Sequence, residues 1–137
     1  MKDETMGFYD HLETRSDDQR SADLARDLPQ QIARAKALKG YGEALMDVDA
    51  EAIRSRAELA TLPVLRKSEL TQKQTDGNPL GGYGALDTHG YSHIFQSPGP
   101  IYEPGRTTHD WWRIGRFLNA VGVGRGDIVQ NCFGYHL

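Results

Sequence analysis

Apolar residues in the first third of the chain recur at the spacing of an α-helix. Four of them lie three or four residues apart, on one helical face: Leu24, Leu28, Ile32 and Ala35. Ser16 is a candidate N-cap, and Gln19 completes a capping-box pattern three residues later. Pro29 removes an amide donor inside this run, so the sequence predicts either a kinked helix or two helices with Pro29 in the first turn of the second. Gly40 and Gly42 end the helical pattern.

Short helical segments and a long loop are predicted between residues 49 and 90. Asp49 begins a second helical stretch, and Ser55 begins a capped turn over residues 55–59. Ser68 and Glu69 open another short helix or turn. Residues 71–90 are rich in Gly, Asn, Asp and Thr, which predicts a long loop.

The last third of the chain alternates between strand and helix patterns. Residues 91–95 predict a strand, and the Pro/Gly-rich residues 97–105 predict a loop. Thr107 or Thr108 is a candidate cap for a helix whose apolar face carries Trp111, Ile114, Leu118 and Val121. Glycines at 122, 124 and 126 end that helix, and residues 128–133 predict a buried strand. This order predicts a βαβ unit with parallel strands and the helix packed on the sheet.

Composition and charge exclude some classes of partner. The net charge of -3 gives no general electrostatic reason to bind nucleic acid or an anionic membrane. No apolar run approaches the roughly 20 residues of a membrane helix, and residues 1–6 lack the apolar core of a signal peptide. The single Cys132 cannot form an internal disulfide, and its place in the predicted strand favours a core position. We therefore expect a cytoplasmic protein with neither a nucleic-acid nor a membrane partner.

A metal site is not expected from the histidines. His89 and His93 are four residues apart, which would place them on one face of a helix. Gly90 and the strand-like residues 91–95 argue against a helix there, and no neighbouring Cys or carboxylate completes a set of ligands.

Two stretches of the chain contain distinctive motifs of leucine, proline, glycine and charged residues. Residues 53–70 read IRSRAELATLPVLRKSEL, and residues 121–129 read VGVGRGDIV. The first resembles the linker of phenylacetate-CoA ligases, a branch of the AMP-forming acyl-CoA synthetases, where the chain reads roughly I-x-S-x-x-D-L-x-x-L-P-x-x-x-K-x-D-L. The second resembles the helix-to-strand turn of the same family, commonly A-G-V-x-x-G-D-x-V. Glycine stops and an aspartate suit a tight entry into a strand.

The resemblance implies an α/β fold and an incomplete ligase. Residues 1–72 are expected to form an N-terminal helical region, and residues 73–137 to begin the AMP-binding α/β domain with its first βαβ unit. ATP, Mg²⁺ and coenzyme A are the implied cofactors, and a small-molecule carboxylic acid is the implied substrate. The remaining ligase polypeptide or a second copy of the chain is expected to cover the open sheet edge.

The family's phosphate loop, roughly S-S/T-G-T-T-G-x-P, falls on residues 97–104, which read SPGPIYEP. Such a loop holds phosphates with backbone amides, hydroxyls and often a lysine at x. Ser97, Gly99 and Pro104 agree with the pattern, whereas both threonines and the second glycine are replaced and Glu103 stands at x. The resemblance places the candidate phosphate contacts at Ser97, Gly99, Glu103 and Arg106, with Arg106 as the nearby cation before a helix N-terminus. A rigid connector in the same place is the alternative.

Three residues at or just after the end of the last predicted strand are candidates for the acyl pocket. Phe133, Tyr135 and His136 fall where resembling enzymes place part of the acyl or aryl site. The alternative for the two aromatic residues is a core position at the edge of the sheet.

Two functional hypotheses follow from these residues. In the first, the chain is the N-terminal part of an acid-thiol ligase that forms an acyl- or aryl-adenylate and transfers the acyl group to coenzyme A. In the second, it is a non-catalytic ligase-like module that binds a ligand or a partner through an altered phosphate loop. Under either hypothesis, we expect these 137 residues by themselves to perform no adenylation.

Overall fold

The computed structural model describes residues 7–85 and 88–132, which fall into two compact units. The major unit is Asp17–Arg106, and the minor unit joins Met1–Ser16 to Thr107–Leu137. Helices and a two-stranded antiparallel sheet make up the described elements, so the chain is α/β in the broad sense.

The major unit is mainly helical and ends in a β-hairpin. Its elements are α1 (Asp17–Lys36), α2 (Lys39–Gly42), α3 (Arg56–Leu59), α4 (Lys67–Lys73), β1 (His93–Ser97) and β2 (Ile101–Gly105). Single turns of 3₁₀ helix lie at Ala50–Ala52 and Thr88–Gly90. α1 is continuous through Pro29, which is buried, so the two-helix alternative is wrong.

Side-chain caps start the short helical turns where the sequence predicts them. The Asp49 carboxylate accepts a hydrogen bond from the Glu51 amide at 3.0 Å. The Ser55 hydroxyl accepts one from the Glu58 amide at 3.3 Å, at the start of α3. Each cap satisfies an amide that the helix leaves without an acceptor. The capped turn predicted at Ser55 is confirmed, whereas the helical stretch predicted from Asp49 is a single 3₁₀ turn.

The core of the described structure lies in the major unit and is small. It consists of five buried aliphatic side chains, Ile32, Leu45, Ile53, Leu80 and Ile101, and the buried Pro29. α1 packs against α2 and against the Ala50–Ala52 turn, and the Lys36 ammonium donates to the Val48 carbonyl. The second half of α1 is thus the element against which the following segments pack.

A close backbone contact joins α2 to the loop that follows α4. The Gly40 amide donates to the Gly82 carbonyl at 2.9 Å. Gly82 has φ +79°, and a Cβ there would lie 2.9 Å from the Gly40 nitrogen. A Cβ on Gly40 would lie 2.7 Å from the Tyr83 ring. Both positions therefore require glycine, because any side chain would separate the two segments.

The minor unit joins the start of the chain to α5 (Gly115–Ala120). The Arg116 guanidinium lies 2.9 Å from the Asp10 carboxylate, and Asn119 donates to the Gly7 carbonyl at 3.0 Å. A Cβ on Gly115 would lie 2.6 Å from the Tyr9 hydroxyl oxygen. Residues more than 100 positions apart thus hold this unit together.

The helix predicted from Thr107 or Thr108 is wrong in its start and in its packing. Residues 107–114 form turns, and Asp110 and Arg113 take φ values of +48° and +54°, outside the helical region. The Asp110 carboxylate accepts a hydrogen bond from the Gly115 amide at 2.9 Å, where α5 begins. Trp111 and Ile114, which were expected to pack on a sheet, are exposed.

The glycine stop after this helix is confirmed, but the strand predicted beyond it is not. Gly122 has φ +87°, and the Val123 amide donates to the Leu118 carbonyl at 2.9 Å, as in a Schellman ending. Residues 128–132 form no strand, Ile128 is 100% exposed, and Cys132 is exposed rather than in a core. A strand needs a hydrogen-bonded neighbour, and the described residues of the minor unit contain no strand. The predicted parallel βαβ unit is therefore replaced by an antiparallel hairpin followed by one short helix.

Candidate functional site

The segment that resembles the phosphate loop is the second half of a β-hairpin, where the sequence predicted a loop. β1 and β2 pair antiparallel, from His93 opposite Gly105 to Ser97 opposite Ile101. Residues 98–100 form the turn, and Gly99 takes φ +149°. Ile101, the first residue of β2, is buried and anchors this strand in the core. The prolines and glycines that suggested an irregular connection instead lie in the turn and at the end of β2.

Gln74, the residue after α4, is bound to the outer edge of this hairpin. Its side-chain amide donates to the Tyr102 carbonyl at 2.7 Å and accepts from the Tyr102 amide at 2.8 Å. A residue in an adjacent strand would make the same pair of bonds, so the Gln74 side chain takes the place of a third strand at one position. Both main-chain groups of Tyr102 consequently face away from β1.

Most amides of the loop-like segment are already engaged or missing. Because main-chain groups alternate sides along a strand, the outward-facing Tyr102 places the amides of Ile101 and Glu103 in the ladder with β1. Residues 98, 100 and 104 are prolines and have no amide hydrogen. The Ser97 hydroxyl donates to the Ile101 carbonyl at 3.4 Å. Gly99 therefore carries the amide that remains available to a ligand in this turn.

Lys67, the first residue of α4, supplies a positive charge at the position of Glu103. Its ammonium lies 3.0 Å from the Glu103 carboxylate, and both side chains are about half exposed. Such a surface ion pair contributes about 0–1 kcal/mol to stability. Its larger effect is local, because it neutralises the negative charge that Glu103 brings to the hairpin.

Arg106 does not have the surroundings that the sequence suggested. It follows β2, is exposed, and makes no hydrogen bond or ion pair with a described residue. The helix that it was expected to precede begins only at Gly115. No helix N-terminus directly follows Arg106 in the sequence, so that source of attraction for an anion is absent.

Ser97, Gly99 and Glu103 therefore lie on one hairpin. Two residues that sequence analysis missed, Lys67 and Gln74, bind to it. Lys67 belongs to the stretch that resembles the ligase linker, and Gln74 belongs to a segment predicted as loop. Nothing in the local sequence of either residue indicates a partner 28 or 36 residues later in the chain. The acyl-pocket candidates Phe133, Tyr135 and His136 lie outside the described residues.

The chain matched no protein-family model, no curated protein and no solved structure. Across residues 7–85 and 88–132, no three His, Cys, Asp or Glu side chains are grouped so that they could hold a metal ion. Within the same ranges, every helix is too short or too polar to cross a bilayer.

Proposed function

We propose that this chain is the N-terminal part of an acid-thiol ligase of the phenylacetate-CoA ligase type. Such an enzyme joins a carboxylate to the α-phosphorus of ATP, which releases pyrophosphate and leaves an acyl-adenylate. The thiol of coenzyme A then attacks the acyl carbon, and AMP leaves. In this proposal the substrate is an apolar acyl or aryl carboxylic acid, and Mg²⁺ accompanies ATP.

The contact between Lys67 and Glu103 is the observation that supports this proposal most. It joins two of the segments that were compared with the ligase family, the linker-like residues 53–70 and the loop-like residues 97–104. It also places an ammonium group 3.0 Å from the residue at the position where the family commonly has lysine. A cation at that place favours the phosphate oxygens electrostatically.

The test is carboxylate-dependent exchange of labelled pyrophosphate into ATP by the full-length protein, screened over aryl and fatty acids. With an acid that supports exchange, Glu103→Gln releases Lys67 from its ion pair and should lower the apparent KM for ATP several-fold. Lys67→Gln should raise it. Glu69→Gln is the matched control, because Glu69 is an exposed acid on the same helix and makes no hydrogen bond or ion pair with the hairpin.

Two results would contradict the ligase proposal. One is a folded protein that exchanges pyrophosphate with none of the acids. The other is exchange whose ATP dependence is the same in the wild type, Glu103→Gln and Lys67→Gln proteins, since the hairpin would then lie away from the phosphates.

The small number of available amides favours a second candidate, a non-catalytic binding module. A phosphate-binding loop uses several main-chain amides as donors, whereas in this turn the Gly99 amide is the one that remains available. In this candidate the hairpin is a rigid connector, and ATP does not bind there. Titration with MgATP, followed by ¹H–¹⁵N NMR, distinguishes the two: a shift of the Gly99 amide supports phosphate contact, and an unmoved Gly99 signal at saturating MgATP supports the module.

A further inference from the structure

A concave site lies in the major unit, on the second half of α1. It has a volume of about 690 Å³ and lies between α1, α2 and residues 59–64. Its walls are mostly aliphatic and include Leu38, Leu45, Leu62 and Val64. Sites for small molecules commonly have volumes of about 300–1,000 Å³ and largely apolar walls with a few polar groups. We call this site the α1 groove.

Among the described residues that line the α1 groove, Arg34 is the one that carries a charge. It is exposed and makes no ion pair or hydrogen bond with a described residue. Arg26, two turns earlier on the same helix, is in contrast paired with Asp23 at 2.8 Å and Asp27 at 2.7 Å. Because no described acid is paired with Arg34 at the wall of this apolar groove, its guanidinium favours a ligand with one negative charge.

The remaining polar groups of the walls are few. They are the side-chain amide of Gln31 and the hydroxyl of Tyr41, and neither makes a hydrogen bond with a described residue. A peptide in the groove would bring an amide and a carbonyl at nearly every residue, and most of these would lose water without gaining a partner. An acyl chain carries no polar group along its length, so it suits these walls better.

We propose that the α1 groove binds an apolar carboxylic acid, with the hydrocarbon chain along the aliphatic walls and the carboxylate at Arg34. Binding is non-covalent and requires neither ATP nor a thiol, so it is independent of the proposed ligase reaction. The carboxylate accepts hydrogen bonds from the Arg34 guanidinium, and Gln31 and Tyr41 are the further donors at the walls.

Decanoate, used below its micelle concentration and without nucleotide, is the probe for this site. Its binding to the 137-residue chain is measured by calorimetry and mapped by ¹H–¹⁵N NMR. We expect shifts concentrated at residues 31–45 and 59–64. Because Arg34 is exposed, Arg34→Gln should weaken decanoate binding by about fivefold, the upper range for a solvated ion pair. Decanol, which has the same chain and no charge, should bind equally to the wild type and to Arg34→Gln.

Two further variants distinguish the contribution of the apolar wall to binding from that of the Arg34 charge. Arg26→Gln changes the same residue type on the same helix away from the groove, and it should leave decanoate affinity unchanged. Val64→Ser makes an exposed part of the wall polar and should weaken decanoate and decanol alike. Circular dichroism of each variant checks that the helices are retained.

Three results would overturn the proposal. Decanoate that leaves the amides of residues 31–45 unshifted shows that the acid does not enter the groove. Equal affinity of wild type and Arg34→Gln for decanoate shows that the guanidinium does not hold the carboxylate. A concentration-dependent dimer that masks residues 59–64 and excludes decanoate shows that a second copy of the chain occupies the groove instead.

Discussion

Replacing Gln74 with alanine removes two hydrogen bonds from the outer edge of the hairpin while leaving α4 and both strands in place. The bonds have lengths of 2.7 and 2.8 Å, and each hydrogen bond of this kind contributes about 0.5–1.5 kcal/mol net. Because the contact is partly open to water, we expect a combined loss of about 1–2 kcal/mol. A loss of this size changes an opening equilibrium by a factor of about 5–30.

Amide hydrogen exchange at Tyr102 measures this effect directly, because its amide is one of the two groups that Gln74 binds. We expect Tyr102 to exchange about 5–30 times faster in Gln74→Ala than in the wild type. Gln72→Ala is the matched control: Gln72 is an exposed glutamine on α4 that makes no hydrogen bond with the hairpin. If Tyr102 exchanges at the same rate in wild type and Gln74→Ala, the side chain does not support the strand edge.

Gln74→Glu should make the protection of the Tyr102 amide depend on pH, and the geometry of the two hydrogen bonds determines the direction of that dependence. The carboxylate still accepts from the Tyr102 amide, but it places a second acceptor against the Tyr102 carbonyl. Protonation restores a donor, so the folded chain raises the pKa of the introduced carboxyl above its unfolded value of about 4.3. Protection of Tyr102 should therefore be complete below that pH and decrease as the pH rises through the folded pKa. Equal protection at low and neutral pH would contradict the assignment of donor and acceptor.

Two further predictions concern the turn and the minor unit. Gly99→Ala forces a Cβ onto a residue with φ +149° and should destabilise the hairpin by about 1 kcal/mol or more in urea unfolding, whereas Gly77→Ala, with open space around its Cβ, should not. The hydrogen bond from Arg116 lowers the pKa of Asp10, so its contribution to stability is lost as the pH falls through that lowered value. In an NMR titration, Arg116→Gln should raise the pKa of Asp10 toward its ordinary value, and Arg113→Gln should not; an unchanged pKa in Arg116→Gln would refute the pairing.

The helical region was largely predictable because its signals are local. The apolar spacing along α1 and the caps at Asp49 and Ser55 depend on residues within a few positions of one another. Pro29 did not break α1, since the helix continues through it with the proline buried. Whether a proline interrupts a helix depends on how the helix packs, and the spacing of apolar residues does not indicate that.

The hairpin was only half predictable, and the candidate site less so. β1 carries a strand-like sequence, but Pro100, Pro104 and Gly105 made β2 look irregular. β2 is stabilised by pairing with β1 and by Gln74, which is a tertiary contact. The resemblance led us to Ser97, Gly99 and Glu103, whereas Lys67 and Gln74 became part of the site only through folding.

The end of the chain was predicted least well. A segment such as residues 128–132 has strand character, but strands form only where a neighbour offers donors and acceptors. Asp110 and Arg113 have positive φ values, so α5 begins later in the sequence than predicted. The spacing of apolar residues does not indicate such φ values. The helix end at Gly122 was predicted correctly, because it depends only on the backbone conformation of Gly122 and on local hydrogen bonds.

The contact of Gln74 with Tyr102 also determines in which direction this sheet can grow. A strand that approached β2 from outside would have to displace the Gln74 amide and would meet Pro104, which offers no amide hydrogen. Among the described residues no strand lies beyond β1, and β1 contains no proline. Any added strand, whether from a longer polypeptide or from another molecule, is therefore directed to the β1 side.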